Sequence, residues 1–142
     1  MNQPPFRDAS ILIAGKNFGS GSSREHAPWG LADFGFRVVI APSFGEIFFN
    51  NCFKIGLLSI ILSEKTVAEL VEKTETIENY SLTIDLERLE IFDAQNFHLN
   101  FKTDEFRREC LLNGLDDIGL ILKHEAKIGE FERQRPPWSL TV

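Results

Sequence analysis

Gly19-Ser20-Gly21-Ser22-Ser23-Arg24-Glu25-His26 puts hydroxyls, an arginine and a carboxylate beside glycines within a few residues of chain. Glycines at 15, 19 and 21 open backbone conformations closed to other residues and let a ligand approach the main chain. With a helix starting at Arg24, the free N–H groups and dipole of its first turn favour an anion in the loop. Arg24 adds a permanent charge whose fork suits a carboxylate. Ser22, accepting N–H bonds beside that charge, sits in a field that stabilises its alkoxide. Such a group can take a proton next to a carboxylate, the chemistry of hydro-lyases and isomerases. Ser22 and Glu25 equally match a capping box, S-x-x-E, which needs no ligand; the local pattern leaves both readings open. The glycine spacing is not the G-x-G-x-x-G of a dinucleotide loop, and no P-loop lysine follows. A Ser–His hydrolase fits poorly, because His26 lies in the same turn as Ser22, the loop is not G-x-S-x-G, and no aspartate partner is evident.

The loop needs a strand before it and a helix after it. Ser10–Ala14 is a short apolar run ending at Gly15, a buried strand. From Arg24 to Phe34 the apolar positions Ala27, Leu31 and Phe34 recur at helical spacing, Pro28 falls in the first turn, and Gly35 supplies a C-cap. Arg37–Ala41 is a second buried strand, rich in β-branched residues. Ser43 and Glu46 read as a capping box for a helix through Ile47, Phe48 and Asn51 that stops near Lys54. Leu57–Leu62 is a third strand. Glu64–Lys73 is a third helix with Val67, Leu70 and Val71 on its apolar face. Alternating strands and helices imply a parallel sheet with covering helices. The pattern then changes. Tyr80–Leu86 and Phe97–Phe101 alternate polar and apolar, as half-exposed antiparallel strands do. Thr103 caps a helix that Gly114 closes, residues 116–125 form another helical stretch, and Arg133–Trp138 is too proline-rich to be helical. One α/β domain covers residues 1–142, with 133–142 an irregular tail.

Composition excludes several classes. The 142 residues suit one core, and the formal net charge of −6 argues against nucleic acid as the main partner. Thirteen Phe against one Tyr and two Trp are core or interface material. No apolar stretch approaches the roughly 20 residues of a membrane span, and the N-terminus lacks a signal-peptide core. The cysteines, Cys52 and Cys110, are too few for an iron–sulfur or structural zinc site and read as reduced buried thiols of a cytoplasmic protein. His98, on the polar face of a strand, and His124, near a helix end, read as surface histidines; Asn50 and Asn51 read as structural. Trp29 and Trp138 each suit either the core or a partner contact.

Gly19–Ala27 resembles the signature of the small, swivelling domain of the aconitase superfamily. Its extension Pro28-Trp29-Gly30-Leu31 and the segment Ile40–Cys52 are similar to the small subunit of 3-isopropylmalate dehydratase rather than to aconitase itself. Asn2–Pro5, Cys110–Leu120 and Arg135–Trp138 match that family too. The resemblance implies a β/β/α domain that pairs with a large subunit holding a 4Fe–4S cluster, this chain itself binding no cofactor and no metal. The pair would interconvert 2-isopropylmalate and 3-isopropylmalate through isopropylmaleate in leucine biosynthesis. It implies Ser22 as the base, Arg24 as the group that binds substrate carboxylate and stabilises the Ser22 alkoxide, and Ser23 as a substrate hydrogen-bonding group. Glu25 and His26 are assigned to capping and loop support. The alternatives are a related hydro-lyase of the homoaconitase or citramalate type, or a non-catalytic module that binds phosphate or dicarboxylate. Family members carry an N-terminal portion before the Asn-Gln-Pro segment, including the loop that senses the substrate's substituent. The expectation is therefore an N-terminally truncated domain with apolar surface exposed and a tendency to self-associate when isolated.

Overall fold

The structure is a computed structural model that describes residues 6–115 and 117–136. The resemblance-bearing residues Asn2–Pro5, Asp116, Pro137 and Trp138 lie outside that range.

After a 3-10 turn at Phe6–Asp8, strands β1 (Ile11–Ile13), β2 (Val38–Ala41) and β3 (Leu58–Ile61) pair in parallel in the order β1-β2-β3. Ile11 lies opposite Val38 and Val38 opposite Leu58. Helices α1 (His26–Phe34) and α2 (Glu46–Lys54) make the two crossovers. Because successive side chains of a strand point to opposite faces, each strand feeds two cores. Leu12 and Val39 pack with Phe36, Phe48, Cys52 and Leu57 under α1 and α2. Ile11, Ile13, Ile40, Leu58 and Ile60 pack on the opposite face. There they meet Val67 and Leu70 of α3 (Glu64–Thr76) and Ile91 of a second sheet. That sheet is antiparallel, β4 (Leu82–Asp85), β5 (Glu90–Asp93) and β6 (His98–Asn100). The layers are thus β/β/α, as expected, with the parallel sheet buried on both faces.

One polar cluster fastens the second sheet to α3. The Asp93 side chain, with no exposed surface, accepts from Lys73 Nζ at 2.9 Å and from Tyr80 Oη at 2.9 Å. It also accepts from the backbone N–H groups of Gln95 (2.7 Å) and Phe97 (2.8 Å). Burial pushes the Asp93 carboxyl up, but the Lys73 ammonium and these donors outweigh it and hold the group at about 2. Burial first, and then the Asp93 carboxylate, push the Tyr80 hydroxyl well above the ordinary phenol range.

Several local expectations are corrected. Helix α1 begins at His26 rather than Arg24. Helix α2 has Gly45 at its N-cap with no side-chain bond, because the Ser43 hydroxyl is taken by Asn17. Helix α4 (Glu105–Asn113) is capped by Asp104, which accepts from the Arg107 N–H at 3.0 Å, and not by Thr103. Strand β5 has no counterpart in the hydrophobic periodicity. The stretch 116–125 divides into α5 (Asp117–Leu122) and α6 (Glu125–Gln134), so helix extends through Arg133 and Gln134 of the tail read as irregular. The left-handed Gly35 and Gly114 close α1 and α4 as expected. Cys52 and Cys110 are buried and free, and burial pushes the Cys52 thiol up to about 11.

Candidate functional site

The loop between β1 and α1 leaves the carboxyl end of a parallel strand, where open α/β sheets place ligands. It is stitched to the loop that follows β2. The Phe18 N–H donates to the Ser43 carbonyl (3.0 Å), and the Gly45 N–H donates to the Phe18 carbonyl (2.8 Å). The Ser43 hydroxyl accepts from the Asn17 N–H (2.9 Å) and donates to Asn17 Oδ1 (3.1 Å). Gly19 is required twice over. Its φ is +77°, and a Cβ there would come 2.1 Å from the Phe48 ring. A Cβ on Gly45 would meet Ser20 Cα at 2.8 Å, so the two backbones touch. Gly15 and Gly21 have ordinary φ and open space around them, which corrects the expectation that all three glycines shape the loop.

Ser22 is half-buried, and Ser23 and Arg24 are exposed. The Ser22 N–H donates to the Gly19 carbonyl at 3.3 Å, and Ser22 Oγ accepts from the Arg24 N–H at 3.2 Å. The expected capping box does not form. The N-cap of α1 is Glu25, with helical φ and ψ and no side-chain cap bond. Its carboxylate turns instead to Lys54 Nζ, 3.4 Å away in the last turn of α2. The physical reason lies in Pro28. With no N–H to donate it cannot sit in the interior of a helix begun at Ser22, so α1 starts at His26 with Pro28 in its first turn, and Ser22 is left outside the cap position. The start of α1 is therefore uncapped by any side chain, beside an Arg24 guanidinium with no ion pair among the described residues. The His26 ring packs on Trp29 at 5.0 Å. The loop is held at both ends on α2, through Ser20 against Gly45 and Glu25 against Lys54.

Of the expected residues, Ser22, Ser23 and Arg24 thus share one short open loop. His98 is exposed 3.6 Å from Glu90, and His124 is exposed at the start of α6; neither approaches the loop's hydrogen bonds. Asn51 is buried, and Asn50 Oδ1 accepts from Arg107 (2.8 Å). The scaffold residues Asn17, Ser43, Gly45 and Phe48 escape a reading of residue types as site-forming. Their only signal is a second glycine loop, 42–45, at the end of the neighbouring strand. A cavity of about 610 Å³ lined by Phe49, Phe53, Ile61, Phe106 and Arg107 among others includes no residue of 15–26. Ser22, half-buried, and Arg24, exposed, lie outside that cavity. Among the described residues no group of three His, Cys, Asp or Glu gathers to hold a metal, and the two cysteines are buried away from the loop. These residues do not fit an iron–sulfur cluster as ligands. Among them, too, no helix is long and apolar enough to cross a membrane.

Comparison with known proteins gives this geometry a family. Residues 1–65 match the aconitase C-terminal domain, and residues 117–139 match the C-terminal domain of the 3-isopropylmalate dehydratase small subunit. The chain is 55% identical to the 3-isopropylmalate dehydratase small subunit of Hahella chejuensis, over 97% of this chain and 66% of that one. It is 53% identical to the protein of that name from Brevibacillus brevis, over 95% of this chain and 70% of that one. A crystal structure of 3-isopropylmalate dehydratase from Methanocaldococcus jannaschii superposes with a TM-score of 0.64 at 30% identity, covering 84% of this chain and 67% of that one. The fold and loop define an aconitase-type small domain. Within that class the chain belongs to the 3-isopropylmalate dehydratase small subunit family. It spans about two thirds of the length of the curated relatives it matches.

Proposed function

We propose that this chain supplies the proton-transfer half of the active site of a hydro-lyase that interconverts 2-isopropylmalate and 3-isopropylmalate through isopropylmaleate in leucine biosynthesis. Its partner is a large subunit that carries the 4Fe–4S cluster, and its substrate is a small dicarboxylate. The observation that carries the reading is Ser22 Oγ, held by the Arg24 N–H on an open loop at an uncapped helix start, in a chain whose relatives bear that enzyme's name. Ser22 takes a proton from the carbon beside a substrate carboxylate and returns it in the hydration direction. The Arg24 guanidinium pairs with the carboxylate and, with the Arg24 N–H that donates to Ser22 Oγ, lowers the cost of the Ser22 oxyanion. The Ser23 hydroxyl donates to substrate. Two free buried cysteines accord with a reducing cytoplasmic setting.

The test is to combine the chain with a cluster-loaded large subunit and follow isopropylmaleate hydration. Ser22→Ala lowers kcat by about 10²–10⁴-fold while the complex still assembles. Turnover within tenfold of wild type would remove Ser22 from the role of base. Tight dicarboxylate binding by the isolated chain, abolished in Arg24→Ala, with no activity in any mixture, would favour the anion-binding module instead.

A further inference from the structure

The loop is not the only exposed feature at this end of the molecule. His26, Trp29, Gly30 and Asp33 are all exposed, and their spacing of three and four residues places them on one face of α1. Trp29 is 43% exposed, a large apolar side chain left in water, with the His26 ring 5.0 Å from its own. Beside it Gly30 has ordinary φ and nothing within 4 Å of where its Cβ would stand, so the fold of this chain gives no reason for a glycine in the middle of a helix. Glycine there leaves room for another backbone to come close. The Trp29 N–H bonds to the Glu25 carbonyl, so this face starts one turn from Ser22 and Arg24.

We propose that the His26–Trp29–Gly30–Asp33 face of α1 is the seat of the large subunit, with Trp29 as its anchor and Gly30 as the point of closest approach. This rests on the reading under Proposed function. Exposed Ser23, Arg24 and Glu25 run directly into the face, so a body that closes over Ser22 is placed to reach Trp29. A second copy of this chain is the poorer occupant. Each copy carries a net charge of −6, so two copies repel, and a copy brings no group that Ser22 and Arg24 lack. Tryptophan is among the residues most enriched at interface hot spots.

The test titrates the full chain against the cluster-loaded large subunit by calorimetry, with Trp29→Ala and Gly30→Gln as variants. Gly30→Gln is the sharper of the two. Its side chain has free space in the isolated chain and suits a helix better than glycine, so the variant melts no lower than wild type. Both variants raise Kd at least about tenfold, the effect of losing one anchor contact. Wild-type affinity in a folded Gly30→Gln together with wild-type affinity in Trp29→Ala overturns the proposal while leaving the hydro-lyase reading intact. Failure of the wild-type chain to bind the large subunit overturns both. Sedimentation of the chain alone is the last arm. A dimer that Gly30→Gln dissociates would give the face to a second copy and overturn the proposal.

Discussion

Ser22 and Arg24 owe their arrangement to residues packed against their loop. Gly19 lies under Phe48, and Ser20 lies against Gly45, so the turn that presents Ser22 cannot relax. Gly19→Ala drives a Cβ into the Phe48 ring at a left-handed φ and destabilises the fold by about 1–3 kcal/mol, measured by denaturant unfolding. Arg24 is held differently, by its backbone N–H on Ser22 Oγ, its guanidinium making no ion pair among the described residues. Arg24→Lys keeps the charge but loses the planar fork. It lowers kcat/KM of the assembled enzyme by about 10–100-fold, the worth of one charged hydrogen bond, with thermal stability unchanged. A loss smaller than threefold would show that a point charge suffices.

At the scale of elements, α3 and the second sheet are joined through Asp93, Lys73 and Tyr80. Because the Asp93 carboxyl is held at about 2, below its ordinary value near 3.9, it contributes stability that is complete above the ordinary value. That contribution is lost as pH falls through about 2. The melting temperature of the wild-type chain therefore drops between about pH 4 and pH 2. Asp93→Asn melts lower at neutral pH and shows a shallower acid limb, followed by circular dichroism. Equal limbs in the two proteins would assign acid lability to other carboxylates. The exposed pair Lys54–Glu25, by contrast, adds little to stability; its consequence is where it puts the end of the loop.

The whole molecule is unevenly packed. Strand β2 runs through the middle, and Val39, Ile40 and Ala41 have no exposed surface. Helices α5 and α6 lie at the other extreme. Helix α6 buries no residue, and Ile118, Ile121, Leu122 and Phe131 face solvent. Native-state hydrogen exchange should rank β2 slowest and α5 and α6 fastest, separated by several orders of magnitude in rate. Protection of α6 comparable to β2 in the isolated chain would mean that self-association covers those apolar residues.

Much of this was legible in residue order. Apolar runs and helical spacing mark β1, β2, β3 and α1, α2, α3 to within two or three residues, because period and turn chemistry are local properties of the chain. The Gly19–His26 loop declares its glycines, hydroxyls and arginine directly, and its wording carries the family. What residue order left open depends on partners distant in sequence. Strand β5 buries Ile91 but leaves the neighbouring Phe92 exposed, and its pairing with β4 and β6 is what makes it a strand. Where the Glu25 carboxylate turns was decided by Lys54, twenty-nine residues away. Which glycine mattered was decided by Phe48. The residue types on which the proposed chemistry of Ser22 and Arg24 rests were thus written in the sequence. Their presentation, at an uncapped helix start beside an exposed Trp29, was settled only when the chain packed, because caps and clearances belong to contacts that a linear pattern does not contain.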